Sequence, residues 1–226
     1  MLNQDIHELL SHVKNEISSI SIQSNEGTIN KIALKNTLEN LRSILDYAAQ
    51  DIRGKLKTEN KAKVYFPYGQ RKNHFLKSVV DNLPNLQQSI PSIYALVESI
   101  QPFVSSDAWL VDLCGLTNDV KHNKLSETDN QKSKTVYQGG SRLGTFGTGC
   151  DVTMRGNTVN GVLQDEVHIA TDGTILILPI SGQTFIVENN KIEFRGKKIE
   201  VPAFLNKCYK NISVFVEQLY IELASL

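Results

Sequence analysis

Arg42 and Asp46 lie four residues apart in Leu41-Arg42-Ser43-Ile44-Leu45-Asp46-Tyr47, and Asn118, Lys121 and His122 cluster in Leu116-Thr117-Asn118-Asp119-Val120-Lys121-His122-Asn123-Lys124-Leu125. At the helical period each set shares one face, so packing the two helices together would bring five polar side chains to one site. His122 suits acid/base chemistry because an imidazole titrates near neutral pH, and Asp46 could orient or charge it. Arg42, Asn118 and Lys121 suit the binding of an anion such as phosphate. His122 and Asp46 are thus the candidate catalytic residues, with Arg42, Asn118, Lys121 and Tyr68 as candidate substrate-binding residues. The same side chains also fit a structural network. An Arg–Asp pair at this spacing adds only about 0.2–0.5 kcal/mol on an exposed helix, and a histidine near a helix C-terminus can cap the last carbonyls. Both readings stay open at this level.

Other chemistries find less support. His7 and His12 are five residues apart, His74, His122 and His168 fall in different elements, and neither Cys-x-x-Cys nor His-Glu-x-x-His spacing occurs, so no metal and no cofactor is expected. Cys114 stands two turns before His122, too far along the axis to pair with it, and reads as a small buried hydrophobe. The stretch Lys55, Lys57, Lys61, Lys63, Tyr65, Phe66, Tyr68, Arg71, Lys72 and His74 interleaves bases with aromatics. It could hold a phosphate backbone and stack a single-stranded base; alternatively Phe66 and Tyr68 plug a core while the lysines stay in water. Gly139 to Gly149 lacks the Lys-Ser/Thr ending of a phosphate loop and reads as a flexible β-loop.

The elements that would position these residues follow from periodicity. Apolar residues at three- and four-residue steps predict helices over 4–22, over 28–56 with Thr28 as cap, over 72–82 and 90–100, and from a Ser106 cap to about Leu125. Residues 126–134 carry no apolar side chain and read as a linker. Short β-branched runs at 134–138, 151–154, 166–170, 174–180, 184–188, 191–194 and 197–201 then predict an antiparallel sheet. Turns are expected at Arg155-Gly156-Asn157, Thr171-Asp172-Gly173, Ser181-Gly182 and Glu188-Asn189-Asn190. Pro202 suits the first turn of a last helix that packs back on the bundle. This is an α+β chain: a helical bundle over 1–126, a small β-rich subdomain over 127–201 and a C-terminal helix over 202–226.

At 226 residues the chain can bury a sizeable core. Its 24 lysines and arginines balance its 24 aspartates and glutamates, so no global field favours nucleic acid or an anionic membrane, and a nucleic-acid site would be a local patch. The longest strongly apolar run, 174–180, is too short to cross a bilayer as a helix. A cytoplasmic protein without membrane contact is expected.

The ordered set of Leu41-Arg42-Ser43-Ile44-Leu45-Asp46-Tyr47, Phe66-Pro67-Tyr68, Gln101-Pro102-Phe103 and Asn118-Asp119-Val120-Lys121-His122 resembles uncharacterised bacterial helical proteins similar to the HEPN superfamily. The resemblance covers roughly residues 28–126. It implies a helical bundle, a homodimer, and an RNA- or nucleotide-directed effector of bacterial stress or phage defence. The superfamily's usual nuclease signature is an arginine four to six residues before a histidine. Here Asn118 stands four before His122, and no arginine occurs from Gly115 to Asn123. The alternative is a noncatalytic binding or regulatory module whose protein partner docks on the β-rich part.

Cys114, Cys150 and Cys208 are odd in number and widely spaced, which argues against a disulfide framework. Titration of the denatured, unreduced protein should therefore find three free thiols; a disulfide would contradict the cytoplasmic expectation.

Overall fold

The computed structural model describes residues 3–56, 63–122 and 127–226, with only the backbone at 120–122. Residues 57–62, including Lys57 and Lys61, and the end of the second motif at 123–126 lie outside the described residues. The chain divides into a helical unit, 1–21, 30–127 and 199–226, and a β unit, 22–29 and 128–198. The short segment 22–29 groups with the strands, which boundaries drawn at 126/127 and 201/202 do not include. The chain is mixed α+β, helical towards both ends with antiparallel sheets in the middle.

Helix α1 spans Gln4–Asn25 and α2 spans Lys31–Lys55. The cap of α2 is Asn30 rather than Thr28: the Asn30 Oδ1 accepts from the amides of Ile32 at 2.9 Å and Ala33 at 3.1 Å. Thr28 is held back because its amide donates to the Gln23 carbonyl, closing the end of α1. Leu34, Leu38, Leu41, Leu45, Ala48 and Ile52 form the buried stripe of α2, and Thr37, Ile44 and Ala49 widen it. That width lets α2 receive two helices, α7 (Trp109–His122) and α8 (Val201–Ala224), which also contact each other.

Helices α3 (Lys72–Asn82), α4 (Leu86–Ser89), α5 (Pro91–Ser99) and α6 (Pro102–Ser105) lie between α2 and α7 in the chain, and α5 packs on α8. Ser106 is not the cap of α7. Its φ of 56° ends α6, and Asp107 Oδ1 accepts from the Trp109 amide at 3.2 Å instead. Phe75 sits between Tyr94 and Phe103, at ring centroid distances of 5.9 and 5.7 Å. Pro202 lies in the first turn of α8, where a missing amide hydrogen costs no helical bond. Among the described residues no helix is long and apolar enough to cross a membrane.

The β unit holds two three-stranded antiparallel sheets and a two-stranded hairpin. The first has the order β2 (Ser141–Gly147), β1 (Thr128–Gln138), β8 (Thr184–Phe194); the second has β3 (Val152–Met154), β6 (Glu166–Ile169), β7 (Ile175–Leu178); β4 (Thr158–Val159) pairs with β5 (Val162–Leu163). Val136, Val167 and Ile169 form the core between the sheets, with Phe146, Met154, Ile175 and Ile186 packed around them.

Four local expectations fail here, each for a physical reason. The polar stretch 128–134 is strand rather than linker because its backbone pairs with β8, opposite the buried Ile192 and Phe194. The Asn189-Asn190 pair lies inside β8 rather than at a turn. Its side-chain amides bond away from a turn, Asn190 Nδ2 to the Asn25 carbonyl at 2.9 Å and Asn189 Nδ2 to Thr135 Oγ1 at 3.0 Å, with a longer contact from Asn189 Nδ2 to the Val187 carbonyl at 3.3 Å. The glycine-rich segment is mostly strand β2, and only Gly139-Gly140, both at positive φ, make the two-residue hairpin turn. Residues 197–199 follow the turn at 195–196 without strand structure, and Glu200 makes only an isolated bridge before α8.

Asp165 is the polar centre of this unit. Its Oδ1 accepts from the amides of Ile180 at 2.6 Å, Ser181 at 2.7 Å and Gly182 at 2.9 Å, and its Oδ2 from Thr184 at 3.1 Å. Those amides, Ile180 and Gly182 foremost, hold its carboxyl well below the usual carboxylate range. Because the folded pKa is depressed, this stabilisation is present above the unfolded pKa and is lost as pH falls through the folded one. Asp165→Asn should therefore lower the unfolding midpoint at pH 7 and remove part of the acid sensitivity of the wild type, as followed by thermal melts between pH 2 and pH 7.

Candidate functional site

An extended segment, Val64 to Gly69, runs across the helical unit because three polar groups hold its amides. Asn82 Oδ1 accepts from Tyr65 at 3.0 Å, Asp46 Oδ1 from Phe66 at 2.8 Å, and Gln101 Oε1 from Gly69 at 3.1 Å. The fully buried Gln101 side chain also donates to the carbonyls of Pro67 and Val97, at 3.2 and 3.0 Å. Phe66 is buried edge-on against Phe215 of α8 at 5.3 Å. Gly69 admits no side chain: an added Cβ would lie 2.4 Å from the Phe75 backbone nitrogen. The motif segments Arg42 to Asp46, Phe66-Pro67-Tyr68 and Gln101 thus meet at one place.

Arg42 is the cation of that place. It is 9 % exposed and thus buried. Its Nε lies 3.3 Å from Asp46 Oδ1, its guanidinium carbon stands 4.8 Å from the centre of the half-buried Tyr68 ring, and its Nη1 donates to the Cys114 sulfur on α7. Burial alone would weaken the hold of the guanidinium on its proton, but Cys114, Asp46 and Tyr68 keep its pKa above the ordinary arginine value. The Cys114 thiol is pushed up to about 12, chiefly by burial and partly offset by Arg42, so it stays protonated and is no nucleophile at neutral pH.

Arg42, Asp46 and Tyr68 come together in one network, whereas Asn118 is exposed on α7. The backbone of α7 continues through Lys121 and His122, but both side chains lie outside the described residues. Exposed Lys63, Arg71, Lys72 and His74 line the chain on either side of the extended segment, with Tyr65 half exposed among them. Sequence reasoning missed two participants. Cys114 was legible only as a buried hydrophobe because its partner stands 72 residues away. Gln101 was legible only as part of a break, although a glutamine directly before a helix-starting proline is well placed to turn inward.

Among the described residues no group of three or more histidine, cysteine, aspartate or glutamate side chains could hold a metal ion. In the β unit a polar cleft of about 430 Å³ is lined by Asn130, Lys134, Phe146, Asp172, Glu188 and Asn190, among others. Its Lys134 is already engaged, donating to the Gly173 carbonyl at 2.6 Å and paired with Glu188 at 3.1 Å.

The fold and this site define a helical bundle with a buried Arg–Asp–thiol network, joined in one chain to a small antiparallel β unit. No family model, no curated protein and no solved structure matches the chain.

Removing one partner of a buried ion pair leaves the other charge uncompensated, which costs about 3–5 kcal/mol. Arg42→Ala and Asp46→Ala should each lose about 3–5 kcal/mol, the second by stranding both the buried guanidinium and the Phe66 amide. The double mutant should fall well short of the sum, because both changes disrupt one network. Urea unfolding of the four proteins measures this; additive losses would show that the two side chains act independently.

Proposed function

We propose that the helical unit is a HEPN-like bundle acting as a noncatalytic binding or regulatory module, with Arg42 and Asp46 as structural residues. One observation carries this reading: the guanidinium of Arg42 is buried and already engaged by Asp46, Cys114 and Tyr68, while Asp46 also accepts from the Phe66 amide. A guanidinium held in this way is turned into the fold rather than towards a ligand, and the Asp46 oxygen beside it is already shared by two donors. The missing arginine before His122 points in the same direction. In this reading the β unit supplies the partner surface, supported by the exposed apolar side chains of Leu176, Leu178, Ile180 and Phe185.

A second reading, an RNA- or nucleotide-directed effector in bacterial stress or phage defence, draws support from the exposed Asn118 on the helix that carries Lys121 and His122. Here His122 would be the acid/base and Lys121 and Asn118 would hold phosphate, with Asp46 confined to positioning. Expression of the wild type and His122→Ala separates the two. The module reading expects equal growth and intact total RNA in both cultures. RNA fragmentation by the wild type that is lost in His122→Ala would establish the effector instead.

A further inference from the structure

The edges of the two sheets in the β unit are not alike. Strand β2 carries Arg142 and a register break against Val136 and Tyr137; β8 carries Glu188, Lys191 and Glu193; β3 is three residues long and flanked by Asp151 and Arg155. Charges, bulges and short length are the devices by which proteins keep sheet edges from pairing. Strand β7, Ile175-Leu176-Ile177-Leu178, is four residues long and is followed by Pro179, but it has neither a charge nor a bulge. It is uncharged, and its pairing with β6 runs without a register shift. Leu176, Ile177, Leu178 and the following Ile180 are 62 %, 41 %, 60 % and 51 % exposed.

The direction of its backbone groups follows from the turn before it. The Ala170 amide donates to the Thr174 carbonyl at 2.9 Å, and the Gly173 amide to the Ala170 carbonyl at 2.8 Å, so residues 170 and 174 close the hairpin as a hydrogen-bonded pair. Bonded and non-bonded pairs alternate along an antiparallel ladder. His168 with Leu176 and Glu166 with Leu178 are then the bonded pairs, and the N–H and C=O groups of Ile175 and Ile177 point to the open edge. That edge is complementary to itself. Two β7 strands meeting antiparallel about a two-fold axis at Leu176 set Ile175 against Ile177 of the other copy twice over, which satisfies all four outward groups of each strand.

We propose that β7 is a self-pairing edge through which two copies of this chain associate into a continuous six-stranded sheet. The two-fold arrangement faces Leu176 with Leu176 of the second copy on the outer face of the sheet. That face already holds a groove of about 370 Å³, lined by Thr153, Arg155, Glu166, His168, Leu176 and Leu178, among others. Ile175 and Ile177 lie on the inner face and extend the apolar core across the junction. The four exposed residues leave on the order of 100 Å² each to be covered, so two copies bury on the order of 800–1,000 Å², below the roughly 1,200 Å² of a stable specific interface. The occupant is a second copy, in a weak dimer that forms at high protein concentration. The inference deepens the reading of the β unit as an interaction surface, and its test is independent of the RNA assay: a monomer that leaves RNA intact would end this inference alone.

Sedimentation velocity on the full chain from 5 to 500 µM, with Leu176→Lys alongside, provides the first measurement. The wild type should shift from monomer to dimer over this range, and Leu176→Lys, which sets two cations face to face on an exposed position, should stay monomeric with an unchanged melting temperature. The second measurement fixes the register. Residues facing each other in a non-bonded antiparallel pair have Cα atoms about 4.5 Å apart, within reach of a disulfide. In a Cys150→Ser background, Leu176→Cys should form a covalent dimer under mild oxidation, while Val162→Cys, an exposed position off the strand, should not. A wild type that remains monomeric at 500 µM, a dimer indifferent to Leu176→Lys, or equal crosslinking at both positions would each overturn the proposal.

Discussion

The burial of one guanidinium is the constraint on which the helical unit depends. A buried cation is tolerated only when its charge and its donors are matched, and Arg42 is matched from three directions: one turn along its own helix by Asp46, from α7 by the Cys114 sulfur, and from the extended segment by the face of Tyr68. Cys114 and Tyr68 each tie a different stretch of chain to α2, and Asp46 ties the extended segment a second time, since the oxygen that faces Arg42 also receives the Phe66 amide. The position of the extended segment, the burial of Phe66 against Phe215 and the approach of α7 to α2 are thus different consequences of the same buried charge. Gln101 adds the second anchor, with its carbonyl oxygen and its amide each engaged by backbone groups that would otherwise be buried without partners.

The β unit solves a related problem with the opposite sign. Four successive approaches of backbone amides around residues 180–184 converge on the Asp165 carboxylate, which holds the connection between β7 and β8 in a compact turn. Gln138 extends the arrangement, donating to the Asp165 carbonyl at 2.7 Å and to Thr184 Oγ1 at 3.1 Å. A core of three fully buried residues is small for two sheets, and this polar scaffold supplies order that apolar packing alone would not. The same compact turn follows β7, an uncharged strand at the edge of its sheet.

Function follows from which polar groups remain free. Around Arg42 the guanidinium, the Asp46 carboxylate and the Cys114 sulfur engage one another within the fold, whereas Asn118 on α7 and the bases at Lys63, Arg71 and His74 are exposed, and Lys72, also exposed, pairs with Glu98 at 3.4 Å. Residues with the right types and spacing for chemistry are equally the residues that build a network between helices. Burial and pairing distinguish the two roles, and for Arg42 and Asp46 both favour the structural one.

Much of this was legible in the sequence. The period of apolar residues located α2, α3 and α5 because one buried face repeats at every helical turn, and the glycine- and asparagine-bearing turns at 155–157, 171–173 and 181–182 follow from the positive φ that such turns require. The four-residue spacing of Arg42 and Asp46 determined that they would meet. The sequence could not show which way they face: an exposed Arg–Asp pair has the same spacing, and the approach of Tyr68 and of Cys114, 72 residues away, encloses Arg42. Residues 128–134 and Asn189-Asn190 were misread for the same reason, since a polar strand is specified by the ladder of its partner and by side chains that bond across it. Local pattern determines an element when its own residues bury one face. Tertiary structure decides wherever a polar group's partner is distant in the chain, because hydrogen-bond satisfaction belongs to the pair and neither half displays it alone.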